Sequence, residues 1–256
     1  MRRVLLTGAA GSIATAVRPV LRELAADVVL TDRVDVAAVE PGERFARAEL
    51  EDPAPWDGLA AGCDAIVHLG AVPDEAPFDV LAGPNLHGAF HVYEAARRAG
   101  VRRVVVASSG RATGFYRVGE RLDGGVTPRP DGLYAATKAF SEALGRMYAD
   151  KFGLEVVALR IGTFEERPRT TRDLSTWLSH DDARRLVRVA LTGPVDGFVC
   201  VYGVSANTRG WWDLPPSLGY VPLDDAEDYA GDVAPDDGIP FQGGPSTARE
   251  SGGWAA

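Results

Sequence analysis

The chain has 256 residues, a formal net charge of −9 and a hydrophobic fraction of 46%, values that fit one large globular domain or one domain with a small lobe. The acidic balance, with no basic stripe, argues against nucleic-acid binding. No apolar run reaches the length of a membrane span, and the first residues do not form a secretory signal, so we expect a cytoplasmic protein with no membrane partner. The two cysteines lie far apart in sequence, and we expect two reduced thiols.

Short apolar segments alternate with segments of helical periodicity along most of the chain. The predicted strands are 3–7, 27–32, a weaker one ending near 49–50, 64–70, 102–109, 154–162 and 197–203. The predicted helices are 12–25, 56–61, 86–99, 131–152 and 180–192. Continuously apolar strands separated by helices indicate an α/β fold, a doubly wound parallel sheet that is covered by helices on both faces.

A glycine-rich turn, LLTGAAGSIA at residues 5–14, joins the first strand to the first helix. Gly8 and Gly11 would let the backbone approach a pyrophosphate that sits on the positive end of the helix, although such turns also occur for structural reasons alone. Asp32 ends the second strand at the distance expected of a carboxylate that binds ribose hydroxyls and repels a 2′-phosphate. Arg33 beside it would instead attract that phosphate. The pattern predicts a dinucleotide site that favours NAD over NADP.

Tyr134 and Lys138 stand four residues apart in the predicted helix 131–152, which places both side chains on one face. A phenol is a poor base at neutral pH, but a nearby ammonium and the positive end of a helix both stabilise the phenolate. Such a pair can take a proton from a substrate hydroxyl while hydride leaves the same carbon for nicotinamide. Ser109, at the end of a predicted strand, would hold the reacting oxygen. The alternative is a Tyr–Lys pair on the surface with no catalytic role.

Several other residues draw attention but favour structural interpretations. His87 and His91 have a spacing suited to zinc, but the sequence offers no obvious third ligand, so we expect no metal site. Ser179 is a predicted N-cap for the helix that follows it. Trp211 and Trp212 are predicted to pack in the core or at an interface.

The order of these motifs resembles the short-chain dehydrogenase/reductase superfamily in its extended branch, the NAD-dependent epimerases and dehydratases. The turn has the spacing G-x-x-G-x-x-A, and Ser109 and the Tyr-x-x-x-Lys motif follow it. The resemblance implies a Rossmann fold with NAD as the cofactor. It assigns cofactor contacts to Gly8, Gly11, Ser12, Ile13, Asp32, Arg33, Glu49, Leu50, Leu69, Gly70, Ala71, Asn85, Tyr134 and Lys138. The family more often has aspartate where Glu49 stands.

Over residues 3–225 the chain resembles the uronate dehydrogenases, notably in RPDGLYAATKAFSEALGRMYADKFG, LSTWLSHDD and SANTRGWWD. This resemblance implies NAD-dependent oxidation of the C1 hemiacetal of a uronic acid or related aldose to the lactone, with Tyr134 as the base. It assigns substrate contacts to Ser109, Thr163 and Arg172, the last of which would grip the sugar carboxylate. Resemblance to the superfamily also implies a homo-oligomer.

Two departures from the uronate dehydrogenase pattern leave the identity of the sugar open. The family places Asn-His directly after the catalytic serine, where this chain has Gly110 and Arg111, and it places a substrate-binding serine where Pro73 stands. Loss of such polar contacts shifts substrate preference. We expect Arg111 to bind an anionic group of the substrate, a carboxylate or a phosphate, and the alternative is that Arg111 points into solvent.

We predict three segments: 1–162 as the NAD-binding Rossmann domain, 163–234 as a small substrate-side portion packed on the same domain, and 235–256 as a Gly/Pro-rich tail that packs poorly. Two other functions would use the same motifs. An NDP-sugar epimerase or dehydratase would need a larger C-terminal lobe. A non-catalytic NAD-sensing regulator would commonly lack the Tyr–Lys pair.

Overall fold

The computed structural model describes residues 1–215, 218–236 and 238–248. Its strands are β1 (Arg3–Thr7), β2 (Asp27–Asp32), β3 (Glu43–Arg47), β4 (Ala65–His68), β5 (Arg103–Ser109), β6 (Glu155–Ile161), β7 (Thr163–Phe164), β8 (Trp177–Leu178) and β9 (Phe198–Gly203). Seven of them form one parallel sheet in the order β3-β2-β1-β4-β5-β6-β9, while β7 and β8 form a separate pair. The predicted α/β class with a doubly wound parallel sheet is confirmed.

The five predicted helices are present, with shifts at their ends, and two short helices were not predicted. They are α1 (Ser12–Leu24), α2 (Trp56–Ala60), α3 (Phe78–Leu81), α4 (Gly88–Ala99), α5 (Leu133–Phe152), α6 (Asp173–Thr176) and α7 (His180–Thr192). A π-helical turn, Ala82–His87, joins α3 to α4, so this helical segment begins at Phe78 rather than at residue 86. Helix α5, which carries Tyr134 and Lys138, begins at Leu133 and ends just before Gly153, as the sequence predicts.

Two apolar layers cover the faces of the sheet. On one face α1 and α7 pack together, and Leu21 and Leu186 are buried among strand residues. On the other face α2, α4 and α5 cover the strands, with the rings of Tyr93 and Tyr148 stacked 5.4 Å apart. Because both faces are covered, the inner strands are apolar along most of their length, which explains why they lack period-two alternation. The edge strand β3, with the sequence ERFAR, is the exception.

Two local predictions are also confirmed. The hydroxyl of Ser179 accepts a hydrogen bond of 2.9 Å from the Asp182 amide and caps α7. Trp211 and Trp212 are buried, and Trp212 stacks on Tyr202 with 4.5 Å between ring centroids. The pair is therefore part of a small core cluster.

Both cysteines are free. Cys63 is buried and Cys200 is half-buried, and burial raises the pKa of Cys63 to about 11 and that of Cys200 to about 12. Both thiols are therefore protonated at neutral pH. In the part of the chain that the structure describes, we find no helix with both the length and the apolar character that a bilayer crossing needs.

Part of the predicted tail is well packed. Gln242 is only 1% exposed, and its side chain accepts a 2.7 Å hydrogen bond from Trp212 and donates to two backbone carbonyls in the loop before α5. The expectation of poor packing is wrong for residues 241–244, because hydrogen bonds of one amide side chain anchor a stretch that has no apolar period. Residues 237 and 249–256 of the tail lie outside the described residues.

Candidate active site

A cleft of about 740 Å³ lies at the carboxyl ends of β1, β2 and β4. The chain runs from β1 outward to β2 and β3 and then returns to β4 on the other side of β1, so the strand order reverses at this point. Open α/β sheets bind nucleotides at such a switch point. The predicted cofactor residues that line the cleft are Gly8, Gly11, Ser12, Ile13, Asp32, Arg33, Glu49, Leu50, Leu69, Gly70 and Ala71.

The glycine turn has the shape that a bound pyrophosphate requires. Gly8 adopts a left-handed conformation with φ +67°, and a Cβ atom there would lie 2.6 Å from the backbone nitrogen of Gly70. The two loops that border the cleft therefore approach each other too closely for any other residue at position 8. The first turn of α1 has no side-chain cap, so its backbone N–H groups are available to an anion. These features fit a dinucleotide.

Asp32 is held firmly at the end of β2. One carboxylate oxygen accepts a 3.0 Å hydrogen bond from the Ala10 amide and the other accepts a 3.2 Å bond from the Val34 amide. The carboxylate thus lines the cleft in a fixed position, where it is suited to ribose hydroxyls and repels a 2′-phosphate. These residues fit NAD.

Replacing Asp32 by asparagine is expected to lower kcat/KM for NAD by about 10- to 100-fold, since hydrogen bonds to a charged group contribute about 1.5–3 kcal/mol. The same change removes the repulsion of a 2′-phosphate, so kcat/KM for NADP is expected to rise. Initial rates with NAD and with NADP give the ratio of the two kcat/KM values. Asp35→Asn is the matched control, because Asp35 is an exposed residue paired with Arg47. An unchanged NAD/NADP ratio in Asp32→Asn would contradict the assignment.

Three of the predicted cofactor contacts, Asn85, Tyr134 and Lys138, are not among the described residues that line the cleft. Asn85 is held instead by other groups of the protein. Its amide oxygen accepts a 2.8 Å bond from the Val72 amide, and its amide nitrogen donates to the Val72 carbonyl and to the Thr137 hydroxyl. It is buried and is not among the described residues that line the cleft. The structure therefore supports an indirect role, in which Asn85 ties the cofactor loop to α5.

The three predicted catalytic residues come together at the end of β5 and the start of α5. The Ser109 hydroxyl is close enough to the phenol of Tyr134 to lower the pKa of that phenol through hydrogen bonding. The Lys138 ammonium donates a 3.0 Å bond to the Ala107 carbonyl and lies 5.6 Å from the centroid of the Tyr134 ring. The helical spacing therefore places Tyr134 and Lys138 on one face of α5, as predicted, and that face packs on β5.

The electrostatics of the pair differ from the expectation that Lys138 would make the phenol basic. Burial is the largest influence on Tyr134 and raises its pKa to about 12, while the Ser109 hydrogen bond and the Arg111 charge act in the opposite direction. Burial likewise lowers the pKa of Lys138 to about 8. The expectation was wrong for the protein alone, because the loss of hydration outweighs the neighbouring cation. At neutral pH the phenol is protonated.

Arg111 does not point into solvent. Its side chain is 16% exposed, and its guanidinium forms ion pairs with Asp74 at 2.9 Å, Glu75 at 3.1 Å and Asp131 at 2.9 Å. It lies over the ring of Tyr134, 5.3 Å from the centroid. Solvent exposure, the alternative left open by the sequence, is therefore excluded.

The glycine that precedes Arg111 has a physical reason. A Cβ atom at Gly110 would lie 2.6 Å from the ring of Trp212. An asparagine, the residue found here in the uronate dehydrogenase pattern, would require Trp212 to move away from Tyr202.

Arg172 carries a half-buried positive charge that interacts with the charges of Asp131 and Arg111. Its guanidinium donates bonds of 2.9 and 2.7 Å to the Gln242 carbonyl, and no carboxylate among the described residues forms an ion pair with it. Burial lowers its pKa, and the side chain lines a cavity of about 370 Å³. Thr163 lies nearby, with its hydroxyl bonded to Asp173 at 3.1 Å and paired with Thr176 at 2.9 Å. Arg172 is thus a cation that an anionic ligand could neutralise.

The comparisons with known proteins agree with this geometry. The family model of the NAD dependent epimerase/dehydratase family matches residues 4–186. The chain belongs to this family. Within it, the chain is 41% identical to a uronate dehydrogenase from Pseudomonas putida, over 94% of both chains.

Two solved structures are close in shape as well. Uronate dehydrogenase from Agrobacterium tumefaciens superposes with a TM-score of 0.93 at 40% identity, covering 98% of each chain. A mutant of that enzyme complexed with NAD superposes with a TM-score of 0.92 at 40% identity, covering 96% of this chain and 97% of the other. The similarity therefore extends over the whole chain and is not confined to the nucleotide-binding half.

Four residues that border this site were not predicted from the sequence. Asp74, Glu75 and Asp131 bind Arg111, and Gln242 binds Arg172 through its backbone. Asp131 stands two residues before the helix that carries Tyr134, which was a usable signal. Glu75 and Gln242 lie in loops with no periodic pattern, so nothing local distinguishes them.

Proposed function

We propose that the protein is an NAD-dependent uronate dehydrogenase, an oxidoreductase that converts the C1 hemiacetal of galacturonate or glucuronate to the lactone. Relatives that carry this name match at about 40% identity over nearly the whole chain. The observation that carries the proposal is Arg172, a half-buried cation that forms no ion pair with a carboxylate among the described residues and whose charge interacts with that of Arg111, which lies over the Tyr134 ring.

In the proposed reaction Tyr134 takes the proton of the C1 hydroxyl, and Ser109 holds that oxygen through its own hydroxyl. NAD, when bound, supplies the nicotinamide that accepts the hydride from C1. As both leave, the C1 carbonyl of the lactone forms. The phenol must be deprotonated to act as a base, and its raised pKa in the protein alone means that activity should rise with pH.

The charges favour Arg172 over Arg111 as the partner of the sugar carboxylate. Three carboxylates form ion pairs with Arg111, so this cluster has no net positive charge with which to attract an anionic ligand. Arg172 bonds only neutral oxygen atoms among the described residues, the Gln242 carbonyl and the Thr176 hydroxyl. A guanidinium binds a carboxylate through two parallel hydrogen bonds.

The substrate class can be tested by following NADH formation with galacturonate, glucuronate, galactose, glucose and glucose 6-phosphate. We expect the two uronates to exceed the neutral sugars in kcat/KM by about 10- to 100-fold, the effect of one charge-assisted contact. Equal rates with galactose and galacturonate, or no net NADH with any sugar, would contradict the proposal.

Replacing Arg172 by methionine is expected to raise KM for galacturonate by about 10- to 100-fold while leaving the weak activity toward galactose little changed. Galacturonate has a carboxylate for Arg172 to bind and galactose has none, so only the KM for galacturonate should rise. Arg169→Met is the matched control, because Arg169 is an exposed neighbour paired with Glu165. A similar loss with both sugars would show a structural role for Arg172.

We also propose that the enzyme is a cytoplasmic homo-oligomer. Its free cysteines suit a reducing compartment. Phe90 on α4 and Phe140 and Met147 on α5 are large apolar side chains exposed by 39–47%, which supports a second copy of the chain on this face. Light scattering coupled to gel filtration measures the mass.

A further inference from the structure

We propose that Arg111 is a positioning residue for Tyr134: it fixes the start of α5 through Glu75 and keeps a positive charge beside the phenol, and it does not bind the anionic group of the sugar. The proposal rests on the proposed function, because it takes Tyr134 as the base. It replaces the expectation that Arg111 is a substrate ligand.

The guanidinium of Arg111 is committed to groups of the protein. Nε bonds Asp131, one terminal nitrogen bonds Asp74 and the other bonds Glu75. Asp131 is fully buried and Glu75 is 15% exposed. A buried carboxylate and a buried cation that are paired in this way strongly resist separation, since either one alone would be left uncompensated. Arg111 is therefore not free to move toward a sugar.

Glu75 connects Arg111 to the helix that carries Tyr134. The N-cap residue of α5, Gly132, has no side chain with which to bind the first N–H groups. The Glu75 carboxylate binds them instead, at 2.7 Å from the Leu133 nitrogen and 3.3 Å from the Tyr134 nitrogen. Because one oxygen of Glu75 also accepts the bond from Arg111, the guanidinium sets the position of this cap. Tyr134 is the second residue of α5, so its position depends on this cap.

Arg111 also acts directly on the two reacting side chains. Its backbone N–H donates a 3.2 Å bond to the Ser109 hydroxyl oxygen, and its guanidinium lies over the Tyr134 ring. The charged groups around the phenol are Arg111, Lys138, Asp74, Glu75 and Asp131. Among them Arg111 lowers the pKa of Tyr134, while Asp74 and Asp131 raise it. Without Arg111 the carboxylates remain, so the phenol should become harder to deprotonate.

The test compares the wild type, Arg111→Met and Arg111→Lys with galacturonate and NAD over a range of pH. The wild type is assayed first, because an inactive wild type refutes the proposed function, whereas a failure of the Arg111 inference leaves the wild type active. For Arg111→Met we expect kcat near neutral pH to fall about tenfold, with KM for galacturonate unchanged. The rising limb of the plot of kcat against pH should move about one pH unit higher.

Arg111→Lys separates charge from geometry. The ammonium keeps the positive charge, so the rising limb should stay near its wild-type position, but it lacks the planar fork that reaches three carboxylates, so kcat should recover only in part. If Arg111→Met does not fold, this variant decides the question. Lower kcat at unchanged KM supports positioning, and higher KM at unchanged kcat overturns it.

Arg129→Met is the matched control. Arg129 is exposed and stacks over the ring of Tyr116 at 4.9 Å, in the loop that follows Arg111. Its loss should leave the pH profile as in the wild type. The inference is overturned if Arg111→Met raises KM for galacturonate tenfold while the rising limb of the kcat–pH profile stays in place. It is also overturned if kcat, KM and the pH profile all stay as in the wild type.

Discussion

Replacing Tyr134 by phenylalanine is expected to lower kcat for galacturonate by about 10²- to 10⁴-fold, the usual contribution of a general acid–base residue. The change removes only the phenolic oxygen. The ring is 8% exposed and has both Arg111 and Lys138 within 6 Å of its centroid, at 5.3 and 5.6 Å, so phenylalanine should occupy the same space. NADH formation measures kcat, and isothermal titration of NAD shows whether the cofactor cleft is intact.

Tyr116→Phe is the control for this experiment. Tyr116 also donates its hydroxyl to an oxygen, the Thr127 carbonyl at 3.0 Å, but it lies outside the catalytic group. Its loss should leave kcat unchanged. A Tyr134→Phe enzyme with wild-type kcat would mean that another group accepts the proton, and Tyr134 would then be a structural residue.

Replacing Arg160 by methionine is expected to lower the free energy of unfolding by about 3–5 kcal/mol, the cost of leaving a buried charge without its partner. Arg160 is 2% exposed and binds both oxygens of Glu142, at 2.9 and 2.8 Å. After the substitution the Glu142 carboxylate would remain buried on α5. Urea unfolding followed by circular dichroism measures the change.

Two further variants identify the cause of that loss. Arg146→Met removes an exposed arginine whose ion pair with Asp150 spans 3.9 Å, and exposed pairs contribute only about 0–1 kcal/mol. The double variant Arg160→Met with Glu142→Leu removes both buried charges and should be more stable than Arg160→Met alone. If the double variant is no more stable, lost packing rather than an uncompensated charge explains the result.

This buried pair also explains why two adjacent serines end β5. Ser108 donates its hydroxyl to Glu142, whereas the Ser109 hydroxyl acts on Tyr134 and lowers the pKa of its phenol. Tyr134, Lys138 and Glu142 follow one another at intervals of four residues on α5 and meet consecutive positions at the end of β5. Ser108 therefore attaches the helix to the sheet, and Ser109 belongs to the reacting group.

The sequence by itself determined the sheet and the residues whose spacing is local. Continuously apolar strands, the glycine turn before α1, Asp32 at the end of β2 and the interval between Tyr134 and Lys138 are all visible within a few residues. Backbone geometry converts such intervals into a shared helix face or a strand end, so these predictions require no knowledge of distant contacts.

Only the tertiary structure determined which groups surround the face of α5 that carries Tyr134 and Lys138. Arg111 binds carboxylates of the loop after β4 and that of Asp131, two residues before α5, and Arg172 binds a carbonyl of the C-terminal segment. These partners lie 20 to 70 residues away in sequence. Parallel strands bring their following loops to one edge of the sheet, but the pairing of charges between those loops depends on their conformations, which have no period. Burial, which raises the pKa of Tyr134, depends on the same packing.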